Sequence, residues 1–317
     1  MSDHTTQIQD GRLSASIDLA IRYLNDDLLI GLPTETVYGL AALASRPKAI
    51  AKIFQVKARP TNHPLILHIA DYRQLEKWAQ NVPSYVEDLC VKFWPGPLTI
   101  VLQRTQRVCD EITGARETVA IRVPNNQVAL NLLKKLDDGL VAPSANRFGK
   151  VSPTSAKHVV DDLGDDVSLV LDGGVCDIGV ESTILDCTRS SPQILRLGAI
   201  TKDEIESVAK IAIALSDGES RASGMLEKHY APNCRVELVE ATADAKRRSS
   251  ELVSENQKVQ ILDFFGDAVS YANQLYARLR HADQSGIDVV IAVMPINAGL
   301  GEAIRDRLTK AAATTNR

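Results

Sequence analysis

Apolar residues recur with helical period at Ile17, Leu19, Ala20, Ile21 and Leu24, which predicts a helix over 14–25 behind the capping candidate Ser14. An apolar run predicts a strand at 28–32, and Pro47 opens a predicted helix over 47–56. A strand at 65–69 follows, then helices near 72–80 and 84–93. Further β-like runs lie at 98–103, 118–123, 168–171, 182–187 and 194–197, separated by helical stretches at 126–136, 154–162 and 202–214. The pattern is mixed α/β and fills one large domain over 1–215.

The texture changes at 216–233, where Gly, Ser and charged residues replace any periodic pattern and Pro232 closes the segment; this reads as a linker. Beyond it the order is strand 235–239, helix 242–255, strand 258–263, helix 266–282, strand 287–293 and helix 299–313. That order describes a small three-layer α/β unit over 234–317 with a parallel sheet. Its turn at 297–301 (NAGLG) suits either backbone N–H groups offered to a ligand or a purely structural bend.

A chain of 317 residues suits two domains, and 44% hydrophobic with 24% charged residues is a globular composition. A formal charge of −4 and a pI near 5.9 give no global pull toward nucleic acid or anionic lipid. The longest apolar stretches fall short of the roughly 18–20 residues that span a bilayer. The first twelve residues lack the layout of a secretory signal. Five cysteines without a C-x-x-C pair suggest neither a disulfide framework nor a zinc ribbon, so a reduced cytoplasm is expected.

Charge asymmetry points to chemistry. Residues 36–70 hold Arg46, Lys48, Lys52, Lys57, Arg59, His63 and His68 without one Asp or Glu, so an anion is expected nearby unless this is a solvated basic face. Just before Pro60, Lys57 and Arg59 suit the flanking of one polyphosphate. The segment 33–39 (PTETVYG) carries Thr34 and Thr36 past the end of a buried strand, where α/β sheets bind ligands; a β-turn with a Thr cap fits the same spacing. A second acid-free stretch, 139–160, contains APSAN (142–146) with Ser144 and Asn146, then Arg147, Lys150, Ser152 and Lys157. It suits an anion loop, or equally a turn leading to a helix capped near Thr154. The run 172–184 delivers Ser182 and Thr183 to a strand through glycines, and Arg196 sits inside an apolar strand, where it needs phosphate or a carboxylate as partner. There is no G-x-x-x-x-G-K-[ST], H-E-x-x-H or G-x-S-x-G, so a P-loop, a zincin site and a nucleophile elbow are all unsupported.

Taken in order, PTETVYGL (33–40), KARP (57–60), HPLILHI (63–69), WPGPLT (94–99), TVAIRVP (118–124), APSAN (142–146), SPT (152–154), GVESTI (179–184), LRLG (195–198) and KHYAP (228–232) resemble the threonylcarbamoyl-AMP synthase family. The resemblance implies a YrdC-like twisted mixed-sheet α/β domain with a concave, positively charged cavity. A small Rossmann-like C-terminal domain, present in the family's longer members, is implied to follow it. The implied reaction joins L-threonine, bicarbonate or CO2, and ATP into threonylcarbamoyl-adenylate with release of pyrophosphate, Mg2+ accompanying ATP. The implied partners are the tRNA threonylcarbamoyl-transferase machinery and tRNA itself, with no membrane.

By position in matching motifs, Thr36, His68, Arg122, Ala142 and Ser182 are the residues implied to hold threonine. Those implied for ATP are Lys57, Arg59, His63, Thr118, Ser144, Asn146, Ser152 and Arg196, with Tyr230 reaching in from the linker. Catalysis is implied to rest on Lys57, Arg59 and Arg196, fixed cations that align oxygens and absorb negative charge. This chain has His63 where the family more often has Asn, and LRLG where LRPG is commoner. Two other readings remain open on the sequence: an RNA-binding module without catalysis, and carbamoylation of another acceptor.

Overall fold

The computed structural model describes residues 6–215 and 230–313, so residues 216–229 of the expected linker lie outside the described residues. The first part runs β1 (Gln7–Asp10), α1 (Ser14–Asn25), β2 (Ile30–Leu32), β3 (Gly39–Leu43), α2 (Pro47–Lys57), β4 (Ile66–His68), α3 (Leu75–Trp78), β5 (Ala79–Gln80), α4 (Tyr85–Phe93) and β6 (Leu98–Arg104). It continues with α5 (Asp110–Thr113), β7 (Thr118–Arg122), α6 (Gln127–Leu136), β8 (Leu140–Val141), α7 (Ala156–Leu163), β9 (Leu169–Asp172), β10 (Thr183–Asp186), β11 (Gln193–Arg196), α8 (Lys202–Ala209) and β12 (Ala214–Leu215). The last part is β13 (Arg235–Val239), α9 (Thr242–Ser254), β14 (Val259–Leu262), α10 (Ala268–Gln284), β15 (Val289–Val293) and α11 (Leu300–Ala312).

Strands β1 to β12 form one twelve-stranded mixed sheet in the order β1-β9-β2-β3-β8-β4-β7-β6-β10-β11-β12, with β5 paired to β6. The alternation of side chains along each strand sorts its two faces. From β6 and β7, Leu98, Ile100, Leu102, Val119 and Ile121 enter the main core beneath α2, α4 and α8. The other face of the same strands offers only a small apolar cluster, Val101, Ala120, Ile184 and Leu195 with Ile66 beside it. At the far end of the sheet, that second face is covered by α1 and α6 through Ile17, Leu24, Val128 and Leu132. The uncovered stretch of sheet is where the site lies.

The C-terminal sheet is three-stranded and parallel, order β13-β15-β14, as the patterning predicts. Helix α9 packs on one side through Ala245 and Leu252, and α10 and α11 on the other through Leu275, Leu279, Ile304 and Leu308. Val37, Val151 and Val180 of the large-sheet part belong to that second cluster, so the two parts share one apolar core. The NAGLG turn is structural: the N–H groups of Gly301 and Glu302 donate to Ala298 and Gly299.

Several expectations are corrected. Leu13, not Ser14, is the N-cap of α1, and Ser14 Oγ instead accepts from Lys135 Nζ at 3.0 Å. The helix expected near 72–80 is a single 3-10 turn at Tyr72–Gln74, one α-turn and the short β5. The helix expected over 202–214 stops at Ala209 because Lys210 is left-handed (φ 56°) and Ile213 N–H is taken by Glu206. The cap of α7 is Ser155, whose hydroxyl accepts from His158 N–H, one residue after Thr154. Strands β1 and β3 have no counterpart in the patterning: QIQD is a short polar edge strand, and all five residues of GLAAL are buried, so neither alternates. Among the described residues no helix is long and apolar enough to cross a membrane.

Gly179 shows how tightly the two parts meet. Its φ is +81°, and a Cβ there would lie 2.5 Å from Ala272 O and 2.7 Å from Asn273 Cα of α10. Asn273 Nδ2 donates to the carbonyls of Cys176 (2.8 Å) and Asp177 (3.1 Å), fixing the same loop. Gly179→Ala is therefore expected to cost about 2 kcal/mol or more. Thermal unfolding of the full chain checks this, and a midpoint equal to that of the wild type would contradict the packing described.

Candidate active site

Strands β4 and β7 run parallel with His68 opposite Arg122, so both side chains leave the C-terminal ends of neighbouring strands on the thinly covered face. Arg196 reaches that face by a bulge. Residues 184 and 185 of β10 pair with 196 and 194 of β11, so a two-residue step in β11 opposes one step in β10. The bulge places Arg196 opposite Ile184, on the cavity side, although simple alternation would put it with Ile194 in the main core.

The cavity is small, about 40 Å³, and opens to solvent. Of the sequence-derived candidates it gathers Thr34, Thr36, His68, Arg122, Ala142, Ser144, Ser182, Arg196 and Tyr230, and it adds Glu181.

One end is built by the PTETVYG loop. Thr34 Oγ1 donates to Val37 O (2.6 Å) and accepts the N–H groups of Thr36 and Val37, so the local-cap reading of this threonine is realised. With its proton used there, it accepts from the Thr36 hydroxyl at 2.9 Å. Arg122 Nη1 donates to Thr36 Oγ1 (2.9 Å), its Nε to Gly96 O (3.1 Å), and its Nη2 lies 2.6 Å from Glu35 Oε1. The Arg122–Glu35 ion pair is buried on both sides.

The other end is organised by Arg196. Its Nε donates to Ser182 O (3.0 Å) and its Nη2 to Ser182 Oγ (3.1 Å), while Ser182 and Thr99 hydroxyls sit 2.7 Å apart. Close approach is possible because residue 198 is glycine: a Cβ there would stand 2.2 Å from Thr183 N. Beside Ser182, Glu181 accepts from Ser152 Oγ (2.7 Å), Tyr276 OH (2.8 Å) and Arg307 Nε (3.0 Å). Burial pushes its carboxyl up, but Arg307, Arg196 and the hydroxyls outweigh burial and leave it at about 2. Tyr230, itself left-handed (φ 62°), is buried with its ring 5.5 Å from Tyr276 and beneath the Arg307 guanidinium at 5.3 Å.

Other candidates stand behind this lining. Lys57 is buried, and its ammonium donates to the carbonyls of Ser144 and Asn146, so it holds the APSAN loop rather than entering the cavity wall. Burial, then Arg59, pushes its pKa well down. Asn146 Nδ2 donates to Arg147 O and Lys150 O, both at 2.8 Å, bracing the same loop. Arg59 donates to Pro64 O (3.0 Å) and lies 5.8 Å over the Phe148 ring; burial, then Arg196, lowers its pKa to about 10. His63 meets the edge of Phe148 at 5.6 Å. Ser152 reaches the site only through Glu181. Thr118 shares the face of Arg122 but sits four residues back along β7, about 13 Å away at strand rise.

Sequence reasoning missed Glu35, Thr99, Glu181, Tyr276 and Arg307. Glu35 and Glu181 lie inside PTETVYGL and GVESTI, where a lone carboxylate beside hydroxyls carries no signal of a buried arginine partner. Tyr276 and Arg307 carry no local signal, because only tertiary docking brings them to Glu181.

His68 generates a pH prediction. Burial first, then Arg122, lowers its pKa from 6.5 to about 3, against the opposing effect of the Ile66 and Leu140 carbonyls, so it is neutral at physiological pH. The unfolded chain takes up that proton near pH 6.5 while the folded one refuses it until about pH 3. His68 therefore stabilises fully above pH 6.5, and stability falls as pH drops toward 3, by up to about 1.4 kcal/mol per pH unit for one proton. His158, lowered by burial and then Arg280 to about 4, acts in the same sense. Urea unfolding between pH 6 and 4 should show a shallower slope for His68→Gln, about one proton less; an unchanged slope would refute the assignment.

Comparison with known proteins bears on what this cavity belongs to. A Sua5/YciO/YrdC family model described as telomere recombination matches residues 22–198. A model described as threonylcarbamoyl-AMP synthase, C-terminal domain, matches residues 200–313. Threonylcarbamoyl-AMP synthase of Pyrococcus abyssi is 41% identical over 317 residues, covering 93% of each chain. Its namesake in Bacillus subtilis is 38% identical over 320 residues, covering 92% of each. A crystal structure of P. abyssi Sua5 complexed with L-threonine is similar over 97% of both chains, with a TM-score of 0.89 at 38% identity. With both family models and full-length relatives in agreement, this chain belongs to the threonylcarbamoyl-AMP synthase family.

Proposed function

We propose that the cavity binds L-threonine at its Arg122 end and ATP at its Arg196 end, and joins them with bicarbonate or CO2 into threonylcarbamoyl-AMP, releasing pyrophosphate. The observation that carries this reading is the placing of two buried guanidiniums, each beside a hydroxyl, in one cavity. They stand on strands three positions apart in the sheet, about 14 Å at normal strand spacing, which suits an amino-acid carboxylate and a nucleotide phosphate bound together. The likeness to a structure described as complexed with L-threonine supports threonine as one substrate.

In this reading the substrates supply the nucleophiles. The neutral amine of threonine attacks CO2, the N–C bond forms as one C=O π pair moves onto oxygen, and the amine gives up one proton to water, leaving a carbamate. The carbamate oxygen then attacks the α-phosphorus, a new P–O bond forms, and pyrophosphate leaves with the electron pair of the broken one. The protein aligns these groups and absorbs charge. Arg122, Thr36, His68, Ala142 and Ser182 face threonine. Arg196, Ser144 and Tyr230 face ATP, Arg59, His63 and Thr118 stand behind that lining on the ATP side, and Lys57, Asn146 and Ser152 brace the loops that carry them. Two arginines of the lining, 122 and 196, against its one carboxylate, Glu181, support a positively charged cavity. Both oxygens of Glu181 are engaged, so magnesium enters as the counter-ion of ATP, held by phosphates and water.

In this reading residues 1–215 are the catalytic unit, 216–233 the connection, and 234–317 the unit that braces the site from behind through Glu181. In this reading the product passes to the tRNA threonylcarbamoyl-transferase machinery for modification of tRNA, with a cytoplasmic location in keeping with that role. The RNA-binding and other-acceptor readings are not favoured, because full-length relatives carry the synthase name.

The test is pyrophosphate release from ATP with magnesium, omitting threonine and bicarbonate in turn and replacing threonine by serine. Release that requires both threonine and bicarbonate is expected. Release indifferent to either, or none at all, would overturn the reading.

A further inference from the structure

The contacts of Arg307 cross the boundary between the two parts in an unusual way. On β10 and β11, Arg196 bonds Ser182 through both its backbone carbonyl and its hydroxyl. Arg307, on α11, bonds the chain neighbours of exactly that pair: its Nε donates to Glu181 Oε2 (3.0 Å) and its Nη2 to Leu197 O (2.8 Å). It is thus a second crosslink between the same two strand ends, contributed by the C-terminal part. Its Nη1 is held by Asp306 at 2.7 Å, which Lys310 in turn holds at 2.8 Å, so the guanidinium is fixed from behind. The side chain is buried, with Tyr230 stacked against it.

Glu181 gives this crosslink a chemical consequence. It is a carboxylate in the wall of a cavity that also exposes Arg196. A carboxylate so placed repels a bound polyphosphate and competes with it for the nearest guanidinium. The contacts shown here prevent both, because each oxygen is directed toward Ser152, Tyr276 and Arg307.

We propose that Arg307 is a positioning residue for ATP: by holding the Glu181 carboxylate and the Leu197 carbonyl, it keeps Glu181 from pairing with Arg196 across the nucleotide site. The proposal rests on the reading of that end of the cavity as the ATP site. Arg307 touches no reacting atom; it acts through Glu181.

The experiment uses the full chain and compares wild type, R307M, R307K and R307M/E181Q in the pyrophosphate-release assay, with calorimetric binding of α,β-methylene-ATP and a thermal unfolding control. R307M leaves Glu181 charged and held only by the Ser152 and Tyr276 hydroxyls, so KM for ATP should rise about tenfold while KM for L-threonine stays within about twofold. R307K keeps the charge and should stay within about threefold of wild type for ATP. The decisive variant is R307M/E181Q, in which the carboxylate charge is gone as well: it should recover most of the lost ATP affinity, which a merely structural role for Arg307 would not allow. An unchanged KM for ATP in R307M, or equal losses for both substrates, would overturn the proposal. If R307M does not fold, the double variant decides: ATP binding close to wild type supports the proposal, and weak binding or failure to fold overturns it. A wild-type protein that releases no pyrophosphate retires the ATP-site reading itself, whereas active wild type with an unaffected R307M retires only this inference.

Discussion

A guanidinium taken out of water is tolerated only where its N–H groups are met, and this protein buries Arg59, Arg122, Arg196, Arg280 and Arg307 between its two parts and along one face of its sheet. Much of the architecture near the site serves that requirement. Backbone carbonyls do most of the work: Gly96 for Arg122, Ser182 for Arg196, Pro64 for Arg59, Val151 and Ser152 for Arg280, Leu197 for Arg307. Carbonyls satisfy a cation without neutralising it, so the positive charge is retained for an anionic ligand. Ion pairs fix others of these cations in place, as in Arg122–Glu35, Arg280–Asp162 and Arg307–Glu181.

The sheet makes such burial possible. Strands β4, β7, β6, β10 and β11 are covered by helices on one face, and on the other by only a thin apolar cluster, which leaves room above it. The ends of these strands carry His68, Arg122 and Arg196, and the bulge in β11 turns the last of them toward the cavity. The C-terminal part closes the arrangement. Tyr276 and Arg307 meet Glu181, Arg280 meets Asp162 and the carbonyls of residues 151 and 152, and the shared cluster around Val37, Val151 and Val180 supplies apolar burial. Docking and site geometry are therefore one problem for this chain.

Much of this was legible in the sequence where a signal is local. Helices α1, α2, α4 and α6, and the alternating strands and helices of the C-terminal part, announce themselves by period. Arg196 reads as a cation in need of a partner because it interrupts an apolar run. What stays hidden is set by tertiary partners. GLAAL shows no alternation because both of its faces are buried, and QIQD is a strand only because β9 offers it an edge. The bulge at β11 is a matter of register, and nothing in ILRL marks it. Lys57 reads as a ligand cation by position, yet its ammonium faces the carbonyls of the APSAN loop. Glu181 and Arg307 are 126 positions apart, so their pairing has no trace in a single sequence.

The division of one cavity between two arginines is the central claim, and a crystal structure of the full chain with L-threonine and α,β-methylene-ATP bound together tests it most directly. The threonine carboxylate is expected on Arg122 and Thr36, with the phosphates on Arg196 and Ser144 and the amine turned toward the α-phosphorus. Phosphates lying on Arg122, or either ligand bound outside the cavity, would contradict it.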